Sequence, residues 1–425
     1  MPNKLLVIQV AALSDALARE LPALPLAWEA MDSVLPAVTC TAQATFRTAS
    51  LPAQHGMIAN GVFHRTLRRA MFWEQSSALV SGQRIWEDFS LAGKRTAMLF
   101  WQQSLGECVD VVLSPAPIHK HHGRMIQDCY SQPPSLYGDL AAKLGAFKLQ
   151  DYWGPAASPR AGDWIAAATI EVLQGAAGPV DLCLTYLPTL DYDLQRYGPA
   201  HERSRKALDL LGVQLAQLVE AAQRLGYQVL VFGDYAIHQV TAGAVFPNAA
   251  LLSEGLLAVR NVRGMLYGDL HTSRAFAMVD HEVAHVYVRF PDDIAQTAAV
   301  LRKLPGVAAV LQGPQLRAAG LNHPNSGELV LLAGEGAWFA YPWWTHAREA
   351  PDYATHVDIH NKPGFDPCEL FLSLWPPGVS TDARKVAGTH GLTGPARKVA
   401  WACTADLGKR SDLADLARAV ESYLK

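Results

Sequence analysis

Pro36-Ala37-Val38-Thr39-Cys40-Thr41-Ala42-Gln43, continuing through Thr48-Ala49-Ser50-Leu51-Pro52-Ala53-Gln54-His55-Gly56 to Asn60-Gly61, places a hydroxyl residue after a proline-led turn and before helix-compatible residues. At a helix N-terminus the free backbone N–H groups and the dipole favour negative charge, so a hydroxyl there can face an anion. Thr39 is the candidate nucleophile on that ground. A Thr before a short helix is ordinarily an N-cap, and this stretch alone does not separate the two roles.

Working outward, short apolar runs alternate with longer amphipathic stretches, the pattern of a mostly parallel sheet covered by helices. Strands are expected at 5–10, 95–100, 182–186 and 229–232, and helices at 136–144, 163–173 and 202–225. Functional residues of such α/β sheets gather at the carboxyl ends of the strands, where Gln9, Asp191 and Asp234 fall. Residues 256–335 read differently, with strand-like runs at 257–260, 275–279, 284–290 and 307–311 and a helix at 292–304. The expectation is one domain over 1–425 with 256–335 as a small inserted α+β subdomain.

The chain has 425 residues, is half apolar and carries a net charge of −3. It has no Lys/Arg run, so nothing marks it for duplex nucleic acid. Six scattered cysteines without a CxxC pair point to reduced thiols and a cytoplasmic setting. The apolar run 5–13 is too short to span a bilayer, and no membrane association is expected.

The order Thr39, Pro52, His55-Gly56, Asn60-Gly61 resembles the nucleophile segment of the type I phosphodiesterases and nucleotide pyrophosphatases, a branch of the alkaline phosphatase superfamily. Gly82-Gln83-Arg84-Ile85-Trp86 is similar to that family's Gly-x-x-Ile-Trp segment. Tyr197-Gly198-Pro199 and Gly388-Thr389-His390-Gly391 extend the resemblance over nearly the whole chain. It implies an alkaline-phosphatase-like α/β fold, a mostly parallel sheet sandwiched by helices. It also implies a metal-dependent hydrolase of phosphodiester or pyrophosphate bonds acting on a small phosphorylated substrate, with Thr39 attacking phosphorus.

The resembled family binds two zinc ions through an Asp after the first strand, an Asp-x-x-x-His, an Asp-His pair and a late His. Carried across, Asp191, Asp234 and His390 match. Three positions depart: Gln9 stands for the first Asp, Gln195 for the His of Asp-x-x-x-His, and Tyr235 for the His of the Asp-His pair. Two dications beside two carboxylates would leave buried positive charge uncompensated. Substitute ligands are sought at Asp193, His238 and His356-Val357-Asp358-Ile359-His360, whose polar residues would share one side of an extended segment. His360 joins the metal set, and a divalent metal, zinc, is expected as one or two ions. Asn60 and Gln43 are the expected substrate contacts, because the family's Asn shortly after the Thr is here Ala42. The alternatives are a single-metal phosphonate or sulfate ester hydrolase, or a non-catalytic relative binding a phosphorylated ligand; Gln9, Gln195 and Tyr235 speak for the latter, and the retained Thr39, Asp191, Asp234 and His390 speak against it, because binding alone would not require all four together.

His281-Glu282-Val283-Ala284-His285 matches the HExxH pattern of zinc proteases. Its flanks are strand formers, and in a strand residues four apart lie roughly 13 Å apart, too far to share one zinc. The aromatic run Trp338–Trp344 reads as core, and His119, Lys120, His121, His122 and Arg124 as a solvated basic loop.

Overall fold

Runs that are apolar at every position become strands buried on both faces, as parallel strands covered by helices must be. The computed structural model describes residues 4–120, 125–375 and 377–425; His121, His122 and Arg124 of the basic loop lie outside them. Its two main sheets use β1 (Lys4–Val10), β2 (Glu29–Met31), β3 (Thr96–Leu99), β4 (Val111–Pro115), β5 (Cys129–Gln132), β6 (Leu182–Leu187), β7 (Tyr227–Gly233), β8 (Ala275–Asp280), β9 (Val283–Val288), β10 (Val307–Gln312), β11 (Leu329–Ala333) and β12 (Val399–Cys403).

The larger sheet runs β2-β12-β7-β1-β6-β3-β4-β5. The central neighbours from β7 to β4 are parallel, and β12, β2 and β5 join antiparallel at the edges. Helices α1 (Thr39–Thr48), α2 (Arg160–Leu173), α3 (Asp191–Tyr197), α4 (Glu202–Arg224) and α5 (Leu413–Leu424) cover it, with α2 packed on α4 and α1 on α5. Parallel pairing brings the carboxyl ends of β1, β6 and β7 together. Gly233 ends β7 so close to Leu13 that a Cβ there would overlap the Leu13 carbonyl oxygen.

The smaller sheet, β8-β9-β11-β10, is antiparallel. Its core includes Phe276, Leu331 and Phe339. The strand expected at 257–260 is Val259–Val262, hairpinned with Met265–Gly268, and the expected helix is Ile294–Arg302 after a 3-10 turn. His281 and Glu282 form the turn between β8 and β9, so the HExxH residues lie on a hairpin and not on a helix. The six cysteines are unpaired. Among the described residues no helix is long and apolar enough to cross a membrane.

Helix α1 is buried around nearly its whole circumference, including Arg47. The Arg47 guanidinium donates to the carbonyls of Gln102 (2.6 Å) and Gln103 (2.9 Å) and to Glu107 (3.3 Å). Burial draws its pKa down to about 10, and Glu107 opposes that shift. Arg47 thus ties the helix that starts at Thr39 to the loop after β3. Arg47→Leu would leave those carbonyls and part of Glu107 without a donor, for an expected loss of about 3–5 kcal/mol. A urea melt showing a loss below about 1 kcal/mol would contradict this account of the helix anchor.

Candidate active site

Thr39 is the first residue of α1 and is nearly buried. Its Oγ1 lies 3.4 Å from the Tyr186 hydroxyl at the end of β6. The residues that follow it in sequence hold the helix. His55 Nδ1 accepts from the Met57 amide (3.1 Å), which leaves Nε2–H to donate to Thr45 Oγ1 (3.0 Å). Burial pushes the His55 pKa down to about 3, so this ring is neutral. Asn60 Oδ1 accepts from the Cys40 amide (3.1 Å), meeting one of the free N–H groups of the helix start. The Asn60 backbone amide and Nδ2 donate to Asp280 at 2.7 and 3.2 Å.

The two matched carboxylates sit at the strand ends, each met by uncharged donors. Asp234 Oδ2 accepts from Gln9 Nε2 (2.9 Å), and its Oδ1 accepts from the backbone amides of Ala12 (3.1 Å) and Tyr235 (2.9 Å). Asp191 Oδ2 accepts from Gln195 Nε2 (2.8 Å) and Oδ1 from the Tyr235 hydroxyl (2.8 Å). Burial still outweighs these donors. It pushes Asp191 up to about 6 and Asp234 up to about 8. Asp280 rises to about 7 for the same reason.

His390 donates through Nδ1 to the Ala37 carbonyl (2.7 Å), just before α1. Its ring stacks on Tyr235 at 3.6 Å and 4° and lies 3.6 Å from His281, which in turn lies 4.0 Å from Phe365. Burial lowers His390 to about 3 and His281 well below its usual range, so both rings are neutral. His281 adopts φ +57°, a left-handed backbone that is uncommon outside glycine and tends to be kept at functional sites. In the sequence this histidine was visible only as part of HExxH.

These groups open on a cleft of ≈ 260 Å³ lined by Thr39, Asn60, Asp191, Gln195, His360 and His390, with His281 and Tyr235 on the same wall. Trp73, Tyr152, Trp153 and Phe365 supply an aromatic side, and none of the described lining residues is Lys or Arg. Trp153 donates its indole N–H to Glu369 (2.6 Å), which also holds buried Lys362 (2.7 Å). Asp234 and Gln43 are not among the lining residues. Gln43 Oε1 instead accepts from the Gln102 amide (2.7 Å), fixing the cleft wall from behind.

Residues 356–360 are not extended. Asp358 accepts from the amide of Asn361 (3.2 Å) and turns the chain, so the alternating face does not form. His356 is exposed, while His360 lines the cleft with Nδ1 3.1 Å from the Phe72 carbonyl oxygen. Asp193 pairs with Arg196, and His238 lies on a short strand paired with Thr389.

The residues present do not fit the two-zinc set implied by the resemblance. Every oxygen of Asp191 and Asp234 already accepts from an amide or a phenol. Gln9, Gln195 and Tyr235, at three ligand positions, are the source of the side-chain donors. Among the described residues no three His, Cys, Asp or Glu side chains are grouped to hold a metal.

Folding raises the Asp234 pKa from 3.8 to about 8, so the folded chain holds a proton that the unfolded chain releases between those values. The associated stability is fully present below pH 3.8 and is lost as pH rises through about 8. Asp234→Asn keeps the oxygen that meets the two backbone amides, and a turned Gln9 amide can accept from the new NH₂. Between about pH 6 and about pH 9 the unfolding free energy is expected to fall less in this variant than in the wild type. Equal falls in urea melts would contradict the assignment.

A sequence model described as type I phosphodiesterase / nucleotide pyrophosphatase matches residues 26–366. No curated protein sequence matches significantly. Among solved structures, phosphonoacetate hydrolase from Sinorhizobium meliloti 1021, in complex with phosphonoformate, is similar with a TM-score of 0.64 at 15% identity, over 100% of this chain and 96% of that one. Murine ectonucleotide pyrophosphatase / phosphodiesterase 5 has a TM-score of 0.60 at 14% identity, over 99% and 95% of the two chains. The human protein of the same name gives 0.62 at 13% identity over 99% and 95%. An inactive threonine-to-alanine variant of the murine protein is known in complex with AMP. These likenesses agree with the alkaline-phosphatase-like fold, and the match over most of the sequence places the chain in the type I phosphodiesterase / nucleotide pyrophosphatase family, as a hydrolase of the phosphoric diester and pyrophosphate type.

Proposed function

We propose that the cleft takes a small ester of a phosphorus acid, with its reacting group at Thr39 and its apolar part against Trp73, Trp153, Tyr152 and Phe365. The observation that carries this reading is the opening of the buried α1 N-terminus, with Thr39 as its first residue, onto that cleft. A hydroxyl at this position meets an anion on the favourable end of the helix dipole. Attack by Thr39 Oγ1 would form a bond to phosphorus and break the bond to the alcohol, which leaves with the Thr39 proton; water would then cleave the Thr39 ester, restoring the hydroxyl and releasing the phosphorus acid. The inactive threonine-to-alanine form of the murine relative supports a threonine in this role. Asn60 positions the helix start and faces the same cleft.

The zinc implied by the resemblance has no part in this reading, because Asp191 and Asp234 are already satisfied. Residues 1–425 act as one unit, with 256–335 as an insertion that delivers His281. The six unpaired thiols support a reducing, cytoplasmic setting.

A second reading, ligand binding without turnover, is favoured by the surroundings of Thr39. Burial holds the Tyr186 phenol well above its usual pKa, so the hydroxyl beside Thr39 stays protonated and is no base. A panel of aryl phosphodiesters, phosphonates and sulfates separates the two. Turnover of a phosphorus ester that survives chelator and falls at least about 10³-fold in Thr39→Ala is the expected result. Binding of the same esters without turnover would establish the second reading instead, and turnover untouched in Thr39→Ala would contradict the first.

A further inference from the structure

We infer that Gln9, Gln195 and Tyr235 replace the metal centre outright: they are a fixed set of neutral donors that satisfies two buried aspartates and leaves no site for a divalent cation. A buried carboxylate must be met by a cation or by hydrogen-bond donors, since its desolvation is otherwise prohibitive. Here all four oxygens of Asp191 and Asp234 are met by donors, at 2.8 to 3.1 Å. The side chains responsible are themselves buried: Gln9 is 0%, Gln195 1% and Tyr235 2% exposed. Gln9 lies behind the cleft, while Gln195 and Tyr235 line it.

The correspondence between positions is what turns this network into an inference. At each of the three places where the resembled family carries a ligand and this chain does not, the residue present is a donor, and each donor reaches one of the two remaining carboxylates. Tyr235 does so twice, through its amide to Asp234 and its hydroxyl to Asp191. Its ring also lies flat on His390. The arrangement has a cost, visible in Gln9 Oε1 and Gln195 Oε1, which are buried without a partner.

The inference concerns metal uptake and does not depend on whether any ester is turned over. The full chain, expressed with zinc in the medium, is assayed for bound metal, titrated with zinc chloride and melted with and without EDTA. The wild type is expected to retain no stoichiometric zinc, to take up none at the site on titration, and to melt at the same temperature in chelator. Gln9→Asp combined with Gln195→His and Tyr235→His restores anionic and imidazole ligands at the three positions, and is expected to gain zinc and a melting temperature that falls in EDTA. Wild-type protein that holds one or two equivalents of zinc and loses stability in EDTA would overturn the inference. So would a folded triple variant that takes up no zinc. Should the triple variant not fold, the wild-type titration decides by itself.

Discussion

Two aspartates are buried at the carboxyl edge of a parallel sheet, and uncharged neighbours must satisfy them; this constraint organises the site. Burial alone would make either charge prohibitive, and the fold lowers that cost with amides and one phenol, while Asp234 keeps its proton up to about pH 8. The supply comes directly from topology. β1 lies between β6 and β7, so Gln9 at the end of β1 faces Asp234 at the end of β7, while α3, following β6, carries Asp191 and Gln195 one turn apart. Tyr235 then joins the two carboxylates through its two ends.

The second sheet completes the enclosure. Its β8–β9 hairpin brings Asp280 to Asn60 and His281 to His390, so the start of α1 is held both through His390 and through Asn60. The resulting cleft is aromatic, His281 and His390 on its wall are neutral, and none of the described lining residues is Lys or Arg. On the proposed reading, recognition there rests on shape, ring contacts and the N-terminus of α1.

Much of this was legible from pattern. Continuous apolar runs mark β1, β6 and β7, and the strand-end positions of Gln9, Asp191 and Asp234 follow from them. The Gln195 to Asp191 contact is an i, i+4 pair on one helix and is implicit in the spacing. The Gln9 to Asp234 bond spans 225 residues and requires the strand order, which no local signal supplies. Alternation at 356–360 suggested an extended face, yet Asp358 spends its carboxylate capping a turn to Asn361, and of the polar residues His356, Asp358 and His360 it is His360 that lines the cleft, beside Ile359. Gln43 was a plausible substrate contact by proximity to Thr39, but α1 turns it toward the Gln102 amide. His281 lay within a misleading motif, and its place on the cleft wall emerges only when the hairpin meets His390.

The central claim is that donors, not ions, satisfy Asp191 and Asp234. The most direct measurement is anomalous diffraction at the zinc edge from crystals grown with excess zinc. The account expects no anomalous peak touching either carboxylate, with the Gln9 and Gln195 amides and the Tyr235 hydroxyl still at hydrogen-bond distance. A peak coordinated by Asp191 or Asp234, with those three side chains turned away, would contradict it.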